Sequence, residues 1–220
     1  DYGADQDTDV WALPISLKYK TDKWSVRLST SYLRVKSPTF VTPEGDFIGD
    51  ENINNTKLVT ETGIGDTIIS GTYTFLDDRD YVIGMDVGAR VKIPTADEDK
   101  FLGTGKTDYG VNTEFYKTIN NWTPYWNIGY RWRGDPSGFN LKNIWNSSIG
   151  TDYRFNDTVS VGISYDWQQK TTRFSENAQE VSSYLNYQLN ANNKLNLYVV
   201  SGFSNASPNI GSGLTWIHYY

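Results

Sequence analysis

Apolar and polar residues alternate along most of this chain. In YVIGMDVGARVKI (81–93), Tyr81, Ile83, Met85, Val87, Ala89, Val91 and Ile93 form one set, and Val82, Gly84, Asp86, Gly88, Arg90 and Lys92 form the other. A period of two is that of a β-strand with two unlike faces. The same pattern predicts strands over 9–20, 24–35, 63–76, 81–93, 108–119, 122–133, 143–155, 158–169, 179–190, 194–204 and 211–220. No stretch has helical periodicity, so the expected fold is all-β, with eleven strands in a single domain spanning 1–220.

The joints between these strands alternate in length. Short turns stand at 21–23, 77–80, 120–121, 156–157 and 191–193, and longer joints at 36–62, 94–107, 134–142, 170–178 and 205–210. Tight turns at one end and long loops at the other are the plan of an antiparallel up-and-down barrel of the bacterial outer membrane. A soluble sandwich has no reason to sort loop length by end.

The apolar sets hold no formal charge: Trp11, Leu13, Ile15, Leu17 and Tyr19; Trp122, Trp126, Ile128, Tyr130 and Trp132; Val159, Val161, Ile163, Tyr165 and Trp167. The other carries Lys18, Arg27, Asp66, Asp86, Arg90, Lys92, Glu114, Arg131, Arg133, Asp152, Arg154, Asp166 and Glu180 among Gly, Ser, Thr and Asn. A soluble barrel would turn the apolar face inward, and periodicity alone permits that. Aromatic placement decides. Tyr19, Trp24, Phe75, Tyr81, Phe115, Trp122, Phe155 and Tyr220 gather near the short turns, and Trp11, Tyr32, Tyr109, Trp132, Trp145, Trp167 and Phe203 near the long loops. At ~3.3 Å per residue and a tilt of roughly 40°, the rise from Trp11 to Tyr19 is about 20 Å, close to the lipid-facing band of such barrels. The apolar face is therefore expected to meet lipid and the charged face a lumen. A spanning sheet must also close, because hydrocarbon leaves edge groups unpaired.

Composition narrows the function classes. The 220 residues include 16 Tyr, 8 Trp and 9 Phe but no Cys, and the net charge is -6. No disulfide, thiolate metal site or cysteine nucleophile is available, and an acidic chain argues against a nucleic-acid partner. No run approaches the ~20 apolar residues of a membrane helix, and the opening DYGADQDTD is unlike a signal peptide.

Eleven strands do not close an antiparallel barrel. The expectation is a twelve-stranded native barrel, completed by a strand upstream of Asp1, with the acidic opening stretch as a loop; the alternative is a parallel seam, as in odd-stranded mitochondrial channels. Pro14, inside the first strand, marks an edge or irregular seam because it cannot donate to a ladder.

The succession DVWALPISLKYKTDKWSVRLSTSYLRVKSP, TGIGD, VKIPTADEDKFLGTGKTDYG, GYRWRGDP and GFSNASPNIGSGL is similar to bacterial outer-membrane proteins of the MetA-pathway of phenol degradation family. The resemblance covers nearly the whole chain and is most specific over 91–110. It implies an outer-membrane barrel concerned with solute passage.

Other motifs weigh less. GTGKTD (103–108) is similar to a phosphate-binding loop, but Lys100 stands where the first Gly of that pattern belongs and no strand-to-helix context follows. A solvated loop is the plainer reading of 94–107; the alternative has Asp97, Glu98, Asp99, Lys100, Lys106 and Asp108 binding a cation or pairing with the barrel wall. In TGIGD, Gly63 and Gly65 fit a bend or close backbone approach, and Asp66 an inward partner for a lumen cation. His218 is the single His, so any Ser-His or Asp-His hydrolase would depend on it; beside Leu214, Trp216 and Tyr220 it reads as an interfacial residue. The alternating GLTWIHYY with its terminal aromatic is similar to the end that outer-membrane assembly recognises.

The expected function is a narrow channel or uptake porin for a small solute, hydrophobic or aromatic ones included, rather than an enzyme. Arg27, Asp66, Asp86, Arg90, Lys92, Glu114, Arg131, Arg133, Asp152, Arg154 and Asp166 would line the lumen, with no catalytic group, metal or cofactor. Its partners would be outer-membrane lipids, the solute and a protein meeting the extracellular loops. A second expectation is a plugged structural or partner-binding barrel whose inward charges neutralise one another.

Overall fold

A computed structural model describes residues 8–37, 59–136, 141–173 and 175–220. The acidic opening stretch and most of the 36–62 joint lie outside the described residues. Twelve strands follow in order: β1 (Asp9–Lys20), β2 (Trp24–Ser37), β3 (Val59–Ile64), β4 (Thr67–Leu76), β5 (Gly84–Ile93), β6 (Asp108–Tyr116), β7 (Trp122–Trp132), β8 (Ile144–Arg154), β9 (Val159–Gln168), β10 (Ala178–Asn190), β11 (Asn193–Gly202) and β12 (Gly211–His218). All pairings are antiparallel and join neighbours along the chain, apart from one break.

That break corrects the strand expected over 63–76. β3 and β4 both pair with β2, β3 through Ser37↔Val59 to Tyr32↔Ile64 and β4 through Ser29↔Ile68 to Trp24↔Tyr73. They make one row interrupted at Gly65 and Asp66, where Gly65 N donates to Ser31 O at 2.7 Å. A Cβ at Gly65 would lie 2.9 Å from Leu33 Cδ1 and from Ser31 Oγ, so the close approach needs glycine. The sheet thus has eleven rows, and β1 and β12 pair with one neighbour each among the described residues. Pro14 lies on that outer row, where a missing donor is tolerated.

Two further boundaries move by three residues. β5 begins at Gly84 rather than Tyr81, and β6 ends at Tyr116 rather than Ile119. The turns between β4 and β5 and between β6 and β7 take the missing residues. Asp77 accepts from Arg79 N and Nε, each at 2.9 Å, and Lys117 Nζ donates to Asp78 O at 2.7 Å and Tyr81 O at 3.1 Å. Thr118 N adds a bond to Asp78 Oδ2 at 2.8 Å. Two neighbouring short turns are thereby tied together at the expense of ladder residues.

The apolar face is the exposed one. Trp11 is 56% and Leu17 67% exposed, and Trp24, Phe75, Trp122, Trp145, Ile149, Phe155, Leu197 and Trp216 are exposed as well. So large an apolar surface is a liability in water and a match for hydrocarbon. Rings pair at both rims: Tyr19 with Trp24 (centroids 5.4 Å apart) and Trp122 with Tyr153 (4.6 Å) near the short turns, Tyr130 with Trp132 (5.0 Å) and Trp145 (4.8 Å) near the long loops. On the polar face, side chains two strands apart meet. The Tyr184 hydroxyl donates to Asp152 across β9, and Arg131 Nη1 donates to Gln168 Oε1 at 3.4 Å across β8. The sheet therefore curls around its polar face.

Candidate functional site

All eleven candidate residues belong to that curled polar face. Arg27 is on β2, Asp66 at the β3–β4 break, Asp86, Arg90 and Lys92 on β5, Glu114 on β6, Arg131 on β7 with Arg133 just beyond it, Asp152 and Arg154 on β8, and Asp166 on β9.

Three of them converge at the long-loop end. Lys92, 1% exposed, places Nζ 3.1 Å from Asp66 Oδ2 and 3.0 Å from Asp108 Oδ2, and donates to Thr104 Oγ1 at 3.1 Å. Arg133 Nε stands 3.8 Å from the same Asp108 oxygen. Two cations thus face two carboxylates in a buried site, where charges persist only when paired and hydrogen-bonded. Thr104 is not among the residues expected here. Asp108 is expected as a residue that pairs with the barrel wall, and it alternates in phase with Gly110, Asn112 and Glu114.

The cluster is roofed by 94–107, which corrects the solvated-loop reading. Leu102 is 2% exposed and packs with Leu33, Val35 and Ala96. Ala96 N donates to Asp66 Oδ1 at 3.1 Å, and Gly134 N to Asp108 Oδ1 at 2.9 Å. The strap folds inward because it supplies both an apolar plug and, through Ala96 N, a donor for the buried Asp66 carboxylate. Gly63 leaves room for it: a Cβ there would lie 2.6 Å from Leu102 Cδ1. Gly105 holds φ at +63, a conformation that favours glycine. A cavity of about 250 Å³ lies beneath, lined by Val10, Ala12, Leu33, Ile68, Leu102 and Thr104.

Deeper along the same face, tyrosines lie on glycines of the adjacent strand. Tyr116 covers Gly84, Tyr125 covers Gly150, Tyr184 covers Gly162 and Tyr198 covers Gly213, each pair in register. A Cβ at Gly150 would meet the Tyr125 hydroxyl at 2.6 Å, and the other three rings leave still less room. The rings are held against the wall instead of projecting from it. These pairs escaped the sequence reading because their register joins residues far apart in the chain.

A second cavity, of about 360 Å³, opens between β7 and β10, with Arg131, Asn146, Ser148, Asp166, Gln168 and Glu180 in its lining. Asp166 accepts from Ser148 Oγ at 2.5 Å and Ser164 Oγ at 2.7 Å. His218 lies elsewhere, on the exposed face between the rings of Trp216 and Tyr220, with Nδ1 3.0 Å from Asn193 Oδ1.

Residues 37–217 match the family described as "Putative MetA-pathway of phenol degradation". No curated protein sequence matches the chain. The structure is similar to the crystal structure of an outer membrane channel from Pseudomonas putida F1, with a TM-score of 0.60 at 13% sequence identity, over 95% of this chain and 80% of that one. The likeness gives the fold: an antiparallel all-β sheet of the outer-membrane barrel type.

Proposed function

We propose that this chain, which belongs to the MetA-pathway of phenol degradation family, is a barrel of the bacterial outer membrane that works as a narrow passive channel for small solutes. The observation that carries the reading is the division of the sheet into an exposed apolar face and a curled polar face whose large rings are held flat. Lipid occupies the first, and solute and water move along the second. Arg27, Asp86, Arg90, Glu114, Arg131, Asp152, Arg154 and Asp166 line the path, while Lys92, Asp66 and Arg133 fix the strap at its long-loop mouth. The cavity under the strap, lined by Val10, Ala12, Leu33 and Leu102 together with Asp66 and Lys92, offers a small solute both apolar and charged contacts. The similarity to an outer membrane channel supports passage through the barrel. Purified protein in planar bilayers is expected to show discrete, small conductance steps. Folded protein that gives neither conductance nor solute uptake into liposomes overturns the reading.

A second reading, a closed scaffold, is favoured by one observation: the strap and the Lys92 cluster fill part of the long-loop end. Conductance separates the two.

A further inference from the structure

The cross-strand register sorts the inner charges by sign. One row runs Lys18–Arg27–Ser70–Arg90–Gly110–Arg131 through β1, β2, β4, β5, β6 and β7. It holds four cations and no carboxylate. Another runs Asp86–Glu114–Asn127–Ser148–Asp166–Glu180 through β5 to β10, and holds four carboxylates and no cation. Where both cross the same strand they stand four residues apart, Asp86 from Arg90 on β5 and Asn127 from Arg131 on β7, which is about 13 Å at ~3.3 Å per residue.

Between them lies an uncharged row, Thr72–Gly88–Asn112–Gly129–Asn146–Gln168. Its asparagines rest over its glycines: a Cβ at Gly129 would come within 2.9 Å of Asn146 Oδ1. Gly110 similarly lets Arg90 lie along the wall, its Cγ 2.9 Å from where a Cβ would be. Opposite charges are thus kept a neutral strip apart, too far for direct ion pairing along one strand. In a confined passage with low-dielectric walls such rows sustain a field that bulk salt water would screen.

The 360 Å³ cavity lies where the rows can act on one molecule. Arg131 ends the basic row, Asp166 and Glu180 end the acidic one, Asn146 and Gln168 belong to the strip between, and Lys170 and Glu176 from the long joint add one charge of each sign. Its volume is at the scale of small-molecule sites.

We propose that the channel selects small zwitterions, free amino acids being the simplest class, by aligning their separated charges between these rows. The carboxylate of such a solute turns toward the basic row at Arg131, and its ammonium group toward Asp166 and Glu180. A neutral solute of equal size gains nothing from the field, and a singly charged one is attracted by one row and repelled by the other. This inference rests on the channel reading and specifies its solute.

Proteoliposome swelling with the full chain tests it, using glutamine and arabinose as zwitterionic and neutral probes of similar mass. Glutamine is expected to enter at least about three-fold faster. The ratio should fall to about one when Arg131→Gln is combined with Asp166→Asn and Glu180→Gln. The exchange Arg131→Glu with Asp166→Asn and Glu180→Arg keeps two opposite poles in the cavity with reversed sense and should retain the preference. Equal rates in the unaltered protein, or a preference that survives the triple neutralisation, overturn the zwitterion inference while leaving the channel intact. Entry of neither probe into liposomes holding folded protein overturns both.

Discussion

Lys92 and Asp108 are register partners on β5 and β6, and their charged atoms stand 3.0 Å apart under the 94–107 strap. Asp66 shares the same ammonium group at 3.1 Å. Lys92→Met would leave two carboxylates without it in a site closed to water. Removing one partner of a buried ion pair costs about 3–5 kcal/mol. Reversible refolding in lipid should show a loss of that order, and bilayer recordings a larger conductance as the strap loosens. Unchanged stability and conductance would mean that Leu102 alone holds the strap.

Val87 and Asp86 test the assignment of the faces. Val87 is 39% exposed on the apolar side, while one Asp86 carboxylate oxygen is buried without a hydrogen-bond partner among the described residues. Val87→Arg should cost ~2–4 kcal/mol in bilayer refolding, the range for Arg at mid-depth. Asp86→Asn removes no bond from that oxygen, so it should cost less and shift the reversal potential away from cations. A neutral Val87→Arg beside a severe Asp86→Asn would invert the sheet.

Gly162 seats the Tyr184 ring. Gly162→Leu should displace that ring and break its bond to Asp152, destabilising the barrel by about 1–3 kcal/mol through overpacking. Single-channel conductance should fall at the same time. The companion Gly162→Leu/Tyr184→Ala makes room again, and recovery of conductance in it would assign the loss to the ring.

Arg79 holds the Asp77 carboxyl down to about 2, chiefly through its side-chain hydrogen bonds, from an ordinary value of 3.8. A depressed carboxylate contributes stability above its unfolded value, and that contribution fades as pH falls through the folded one. Both groups lie in an exposed turn, so salt screens the effect. A carboxyl-carbon NMR titration should find Asp77 ionised at pH 3 and returned toward its ordinary value by Arg79→Ala.

The rows of the sheet were legible because a half-buried strand writes its two solvents into alternate residues. Where that contrast weakens the reading failed. β3 puts Thr60, Thr62 and Ile64 on its outer face and Val59, Glu61 and Gly63 on the inner one, so its start carried little alternation. At Tyr81–Ile83 the alternation was present, but bonds from Arg79 and Lys117 drew the chain into a turn. The inner charges were visible as residues and not as partners. Lys92, Asp66 and Asp108 are separated in the chain by joints whose folding decides whether they meet. Likewise, the rows of like charge become visible only once every strand is set against its neighbour.

The tyrosine and glycine pairs carry a consequence for how such a barrel can diversify. Each ring rests in space vacated on the next strand, so calibre at that depth is a property of two inward positions and of nothing on the lipid side. Anchorage resides in the intervening residues. Because the two properties occupy alternate letters of the same strands, one can be retuned by exchanging a facing pair while the other is left untouched, and descendants of a single barrel can differ widely in what they admit while remaining equally at home in the same membrane.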